Sequence, residues 1–108
     1  MKGGFQGGMA GLMRQANRMQ RQIEKRRESL REETVEAGVA GERVKVVING
    51  AREVVSLHIA PDLLEEEGFE MMQDLLVAAV NAGLVKANEM IESELKKVTG
   101  GASIPGLF

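Results

Sequence analysis

The chain has 108 residues, 44% of them hydrophobic and 28% charged, and a formal net charge of −2. That length suits a single domain, and a monomer of this size buries only about 60–70% of its unfolded surface, so association between copies is an expectation from the start. The absence of cysteine excludes disulfides, thiol catalysis and cysteine-held metal, and the absence of Trp and Tyr leaves no aromatic platform for stacking unpaired bases.

Residues 1–8 hold four glycines and one charge and are expected to form a flexible arm. No stretch here has the apolar core of a signal peptide. The longest uncharged apolar run, Leu75 to Val85, is too short to span a bilayer. A cytoplasmic protein is the resulting expectation. From Met9 the pattern becomes helical: Met9, Leu12, Ala16, Met19, Ile23 and Leu30 form an apolar seam with heptad-like spacing. Arg26 takes the next position the seam would use. A helix over 9–33 would be about 37 Å long at ~1.5 Å per residue. A small body cannot cover such a rod, so it is expected to leave the body at one end.

Two alternating segments follow, Val44-Lys45-Val46-Val47-Ile48 and Val55-Ser56-Leu57-His58-Ile59, with Asn49-Gly50 between them. Asn-Gly between alternating hydrophobics is a strong hairpin signal. A two-residue loop would pair Ile48 with Ala51; a four-residue loop would pair Val46 with Val55 and Val44 with Leu57. Either register puts Val44, Val46, Ile48, Val55, Leu57 and Ile59 on one face. Thr34 to Ala37 is a candidate first strand, so the sheet has two or three strands. Pro61 ends it, and Asp62-Leu63-Leu64-Glu65 has the form of a helix-capping box. Gly68 is expected to separate that turn from a second long helix over 69–99, acidic at its start, with Lys96 and Lys97 at its end before Gly100-Gly101. Its middle, LLVAAVNAGLV, is apolar nearly all round and needs cover on two sides, the sheet on one and a second subunit on the other. Leu76, Val80 and Leu84 belong to this core or dimer surface. Residues 100–108 are expected to form a loose tail with an apolar tip. The fold class is α+β: a two-layer helix–antiparallel sheet–helix arrangement with one domain over 9–99.

The charge is unevenly placed. Residues 1–27 carry seven basic residues against Glu24 alone, a net +6, while residues 28–108 carry −8. Arg14, Arg18, Arg21 and Lys25 are spaced by 4, 3 and 4, which puts them in one stripe opposite the apolar seam. Most charge runs are solvated helix faces, but those usually mix signs for i,i+4 support, and this one scarcely does. Steady positive spacing of this kind is what phosphate contact requires. Contact with anionic lipid ranks lower, because the opposing seam has few large apolar residues. Gln15, Asn17, Gln20 and Gln22 lie nearby as potential readers of base edges.

Other candidates are weak. His58, the sole histidine, alternates with the apolar face and has no motif partner, which argues against a His-pair metal site or a Ser-His-Asp triad. Glu65, Glu66 and Glu67 suit the helix dipole better than a metal, and the methionines read as adaptable core filler. The N-terminal glycines fit no nucleotide-binding loop. No nucleophile–base pair is present, so no enzyme, metal, cofactor or small-molecule substrate is expected.

The glycine-rich start followed by GLMRQANRMQRQIEK, the block AGVAGERVKVVINGAREVVSLHIAPDLLEEE, the segment DLLVAAVNAGLVKANEM and the tail GGASIPGLF together resemble the YbaB/EbfC family of nucleoid-associated DNA-binding proteins, nearly end to end. The resemblance implies a helix–three-strand–helix fold, a tight homodimer with projecting helices, and binding of double-stranded DNA in the bacterial nucleoid. Carried over, the DNA contacts fall on Arg14, Arg18, Arg21 and Lys25, with Arg26 and Arg27 beside them, and on Lys86, Lys96 and Lys97. The chain departs from the family pattern at Ala60 and at Ala82-Gly83; Gly83 should cost about 1 kcal/mol of helix stability against Ala unless close packing needs it. The expectation is therefore a non-enzymatic, homodimeric DNA-binding protein of the cytoplasmic nucleoid that contacts mainly phosphates, organises the nucleoid and takes part in gene regulation. Its rival is an interaction module whose helix seam and basic face dock an acidic protein partner.

Overall fold

The computed structural model of the chain describes residues 2–100. In order, the elements are α1 (Lys2–Leu30), β1 (Thr34–Val39), β2 (Val44–Asn49), β3 (Val54–Ile59) and α2 (Leu63–Val98). The strands form one antiparallel sheet in the order β1-β2-β3, and α2 packs on β1, β2 and α1. The fold is α+β, as expected. The molecule measures 78 × 21 × 16 Å with a radius of gyration of 20.8 Å. A compact chain of this length would have about 13 Å, so the long helices set the shape.

α1 begins earlier than the apolar seam indicates: the helix takes in the glycine-rich stretch that was expected to be a flexible arm. Glycine lowers helix stability by about 1 kcal/mol relative to alanine but is not sterically barred from it. Leu30 ends the helix, and the turn to β1 is closed by bonds such as Glu33 N–H to Leu30 O, 3.0 Å. The expected C-terminal tail lies outside the described residues, apart from Gly100.

Thr34 to Ala37 belongs to a full strand, so the sheet has three. β1 pairs with β2 through Val35↔Ile48, Ala37↔Val46 and Val39↔Val44. The second hairpin corrects both expected registers. β3 pairs with β2 through Val44↔Ile59 and Val46↔Leu57, and a bulge at Val47/Ile48 makes Val54, not Val55, the partner of Ile48. The cause is the turn. Asn49 and Glu53 close a three-residue loop, with Asn49 N–H bonded to Glu53 O at 3.0 Å and Arg52 in the left-handed region at φ 62°. The Asn49 side chain accepts from Ala51 N–H (2.9 Å) and Glu53 N–H (3.0 Å). Gly50 is therefore not the left-handed centre of a two-residue turn. It is glycine because a Cβ there would overlap the Leu30 carbonyl, and its N–H donates to Leu30 O (3.1 Å) and Glu33 O (3.0 Å), tying the hairpin to the end of α1.

α2 divides at Gly68, whose φ of 85° and ψ of 167° break the helix as expected and leave a lead-in turn before the long segment. The capping box is not formed. Asp62 already has helical angles and its side chain makes no cap bond; Leu63 N–H is taken by Ala60 O at 3.0 Å. Glu66 and Glu67 instead meet Arg43 of the β1–β2 turn, at 2.6 and 3.5 Å. The C-terminal stop is as expected: Gly100 has φ 68° and its N–H bonds Lys97 O at 3.4 Å.

Two apolar clusters result. One joins Val44, Val46, Ile48 and Ala37 of the sheet to Leu63, Ala79 and Ala87, with Leu76, Val80, Leu84 and Ile59 half-buried against it. Gly83 lies in this layer, and a Cβ there would come within 2.7 Å of Ile48 Cδ1 and Val46 Cγ1. Close packing thus accounts for a glycine inside the helix. The second cluster joins Ile23 and Leu30 of α1 to Ile91 and Leu95 of α2, flanked by Met19, Met90 and Val98. The face expected to be buried is only partly covered within the chain. Val44, Val46 and Ile48 are fully enclosed, whereas Val55 and Leu57 are 56% and 44% exposed, because α2 lies over β1 and β2 and leaves β3 open.

Candidate nucleic-acid interface

The part of α1 beyond Met19 reaches past the end of α2, and Met9, Leu12, Met13 and Ala16 are exposed there. The basic stripe begins on this rod and runs on over the packed half of the helix. Long unbranched Arg, Gln, Met, Lys and Glu side chains make the segment a good helix former, and the helical repeat puts Arg14, Arg18, Arg21 and Lys25 on one side. All four are exposed, and none forms an ion pair among the described residues. Gln15, Asn17, Gln20 and Gln22 are exposed beside them.

Four other expected contact residues are engaged. Arg26 bonds to Glu33 and Ser29 on its own side and to Glu94 of α2. Hydrogen bonds donated to Glu33 and then to Glu94 hold its guanidinium above its ordinary pKa. Glu94 is held below the usual carboxylate value by Lys97, at 2.5 Å, and by Arg26. Arg26 and Lys97 thus share one carboxylate at the crossing of the two helices. Lys96 lies 3.7 Å from Glu92, and Lys86 donates to the Glu36 carbonyl at 3.0 Å. Arg27 has no ion pair among the described residues; it is half-buried in a groove that also holds Glu24, Glu28, Arg31 and the loop 50–52.

Among the described residues the nine expected cations therefore separate into five with no side-chain hydrogen bond or ion pair, four of them in one exposed row, and four that serve local contacts. Two further basic residues near the end of α1, Arg31 and Arg52, were not singled out by sequence. Arg31 continues four residues beyond Arg27, a spacing that could have signalled it. Arg52 is held by its Nε bond to Asn88 Oδ1 at 2.6 Å, a contact across 36 residues with no local signature. His58 is exposed opposite Lys45 on the outer sheet face. Among the described residues no group of three or more His, Asp or Glu is arranged to hold a metal ion, and no helix is long and apolar enough to cross a membrane.

An exposed cationic helix on a small antiparallel sheet defines a class of basic-armed α+β protein, and comparison with known proteins specifies it. The model of the YbaB/EbfC DNA-binding family matches residues 6–102, and the chain belongs to that family. A nucleoid-associated protein of Thermoanaerobacter pseudethanolicus is 49% identical, over 99% of this chain and 98% of its own. Another from Caldanaerobacter subterraneus is 47% identical with the same coverage. The crystal structure of an uncharacterized protein from Helicobacter pylori superposes with a TM-score of 0.67 at 27% identity, covering 85% of this chain and 94% of that one. The family is one of DNA-binding proteins, and the two bacterial relatives are named as nucleoid-associated.

Proposed function

We propose that this protein binds double-stranded DNA as a homodimer, mainly through phosphates, and that it works in the bacterial nucleoid to organise DNA and modulate transcription. The observation that carries the reading is the row of four exposed cations without carboxylate partners on α1. Arg and Lys at this spacing follow a phosphate backbone over ~17 Å of helix. The −8 of the remaining chain repels phosphate and confines the contact to the arm. Family membership supports DNA as the ligand, and the nucleoid-associated names of the relatives support the setting.

The homodimer is supported by what one chain leaves open. β3 is an edge strand with Val55 and Leu57 exposed, and α2 turns Val77 (61% exposed) and Val85 (56%) away from its own sheet. Apolar surface of this extent on a small protein marks an association site, and a second copy brings both an edge strand and a helix. In a dimer each arm carries its own stripe.

The test is a titration of duplex DNA across a salt series. If a dimer neutralises about six phosphates, log K falls against log salt with a slope near −5. The variant with Arg14, Arg18, Arg21 and Lys25 all changed to Glu is expected to keep its fold and lose duplex binding. Unchanged retention at fixed salt, or a slope near zero for the parent protein, would remove the phosphate mechanism.

A further inference from the structure

The groove that holds Arg27 is lined by three guanidiniums from separate parts of the chain. Arg27 lies on the last turn of α1, Arg31 on the turn that follows, and Arg52 in the β2–β3 loop, with buried Leu30 and Ile91 beneath them. The loop is fixed against the helix end by the Gly50 N–H, which donates to Leu30 O (3.1 Å) and Glu33 O (3.0 Å). Arg52 is fixed in turn. Its Nε donates to Asn88 Oδ1 of α2 at 2.6 Å, a neutral acceptor that leaves its two terminal nitrogens unbonded among the described residues. None of the three arginines forms an ion pair among the described residues. Glu24 and Glu28 also line the groove, yet neither pairs with an arginine there. Glu92, beside Arg52 and Asn88, lies 3.7 Å from Lys96.

The helix dipole accounts for Arg27 and Arg31 at the C-terminal end of α1. It does not account for Arg52, which another element brings to the same groove. Like charges gathered in one groove repel, and an anion relieves the repulsion. Guanidinium forks match the oxygens of a phosphate two at a time. The groove does not continue the stripe. At ~100° per residue, Arg27 lies about 150° around α1 from the centre of the row Arg14, Arg18, Arg21 and Lys25. Glu28 and Glu24 come between, at about 50° and 90°. A duplex lying on the stripe meets these carboxylates before it meets the groove. We propose that Arg27, Arg31 and Arg52 form a second phosphate-binding site at the root of the arm, which grips the backbone of a different DNA segment from the one on the stripe. The ligand class rests on the DNA-binding reading above; the separateness of the site rests on its own geometry. Each protomer then offers DNA two contacts on nearly opposite sides of α1, and the groove is the weaker because two carboxylates share it.

The test is a titration of the full chain with a short duplex, followed by NMR of the backbone amides and the arginine Nε–H groups. Signals from residues 14–25 are expected to move first. Those of Gly50, Ala51 and the Arg52 Nε–H should move in a second, weaker phase, once the stripes are filled. Arg31→Gln with Arg52→Gln should weaken the second phase at least about tenfold and leave the first unchanged. The same spectra show whether that variant is folded. Arg31→Gln alone alters only an exposed side chain and should give the same result with a smaller loss. Glu24→Gln should strengthen the second phase. Groove signals that stay still while those of the stripe move would overturn the proposal and leave the DNA-binding reading standing. Groove signals that move in step with the stripe, or a double variant that weakens both phases equally, would overturn it too. Stripe signals that stay still while those of the groove move would support the groove and remove the stripe.

Discussion

Gly83 and Gly50 are both glycines for reasons of space, but the obstacles differ. At Gly83 an added methyl meets Val46 Cγ1 and Ile48 Cδ1, side-chain atoms that can shift a little. Overpacking of this kind costs about 1–3 kcal/mol, against a gain of about 1 kcal/mol in helix propensity. Gly83→Ala is therefore expected to destabilise the fold by about 1 kcal/mol in denaturant unfolding. At Gly50 the obstacle is the Leu30 backbone carbonyl, which also receives the Gly50 N–H. No rotamer change relieves that contact, so Gly50→Ala is expected to cost more than Gly83→Ala. An equal or smaller loss would show that the junction of α1 and the hairpin is looser than its hydrogen bonds indicate.

Glu94 provides a residue-scale pH dependence. Its partners hold its pKa below the ordinary 4.5 in the folded chain. A depressed carboxylate contributes stability that is complete above its unfolded pKa and is lost as pH falls below 4.5 toward the folded value. Glu94→Gln should therefore lower stability at neutral pH and reduce the loss seen on acidification below 4.5. Parallel pH–stability curves for the parent and the variant would show that the Arg26–Glu94–Lys97 group contributes nothing net. Arg26 and Glu94 are only half-buried and Lys97 is exposed, so the effect should be small and should shrink with added salt.

At the scale of elements, α1 has two halves with different roles. From Met19 to Leu30 its apolar side packs on α2, while before Met19 it projects. Its basic side runs across both halves, with Arg14 and Arg18 on the projecting part and Arg21 and Lys25 above the packed part. Much of this was legible in the sequence, because helical periodicity is a local property and the seam and stripe are read directly from spacing. Gly68 and Gly100 also acted where expected, since a left-handed backbone angle is a local requirement that glycine meets at least cost. The capping box and the two-residue hairpin loop were not legible. In both cases a short-range alternative won: the turn closed by Leu63 N–H to Ala60 O holds Asp62 at helical angles, where its side chain makes no cap bond, and the Asn49 side chain built a three-residue loop. That loop moved β3 along β2 and made Val55 the extra residue of the bulge.

At the scale of the whole molecule, one chain leaves its sheet half-covered. α2 encloses the β2 residues Val44, Val46 and Ile48 but not Leu57 or Val55 on β3. If a second copy supplies the missing cover, Leu57→Glu introduces a charge into the contact without disturbing a buried position within the chain. Sedimentation or light scattering should then show a shift from dimer to monomer. Duplex affinity should fall as well, because the two arms no longer act together. A variant that remains dimeric would place the contact elsewhere.

The sequence by itself determined the order of the elements, the faces of the helices, the positions of the glycine breaks and the division into a +6 arm and a −8 body. All of these follow from local periodicity and composition. Only the tertiary structure decided which cations remain available, because Arg26 meets Glu94 across 68 residues and Lys86 meets the Glu36 carbonyl across 50. It alone also decided which half of the apolar face is enclosed, since that depends on where one long helix comes to rest on a three-stranded sheet. Spacing reports which side chains share a face; long-range packing decides what that face meets.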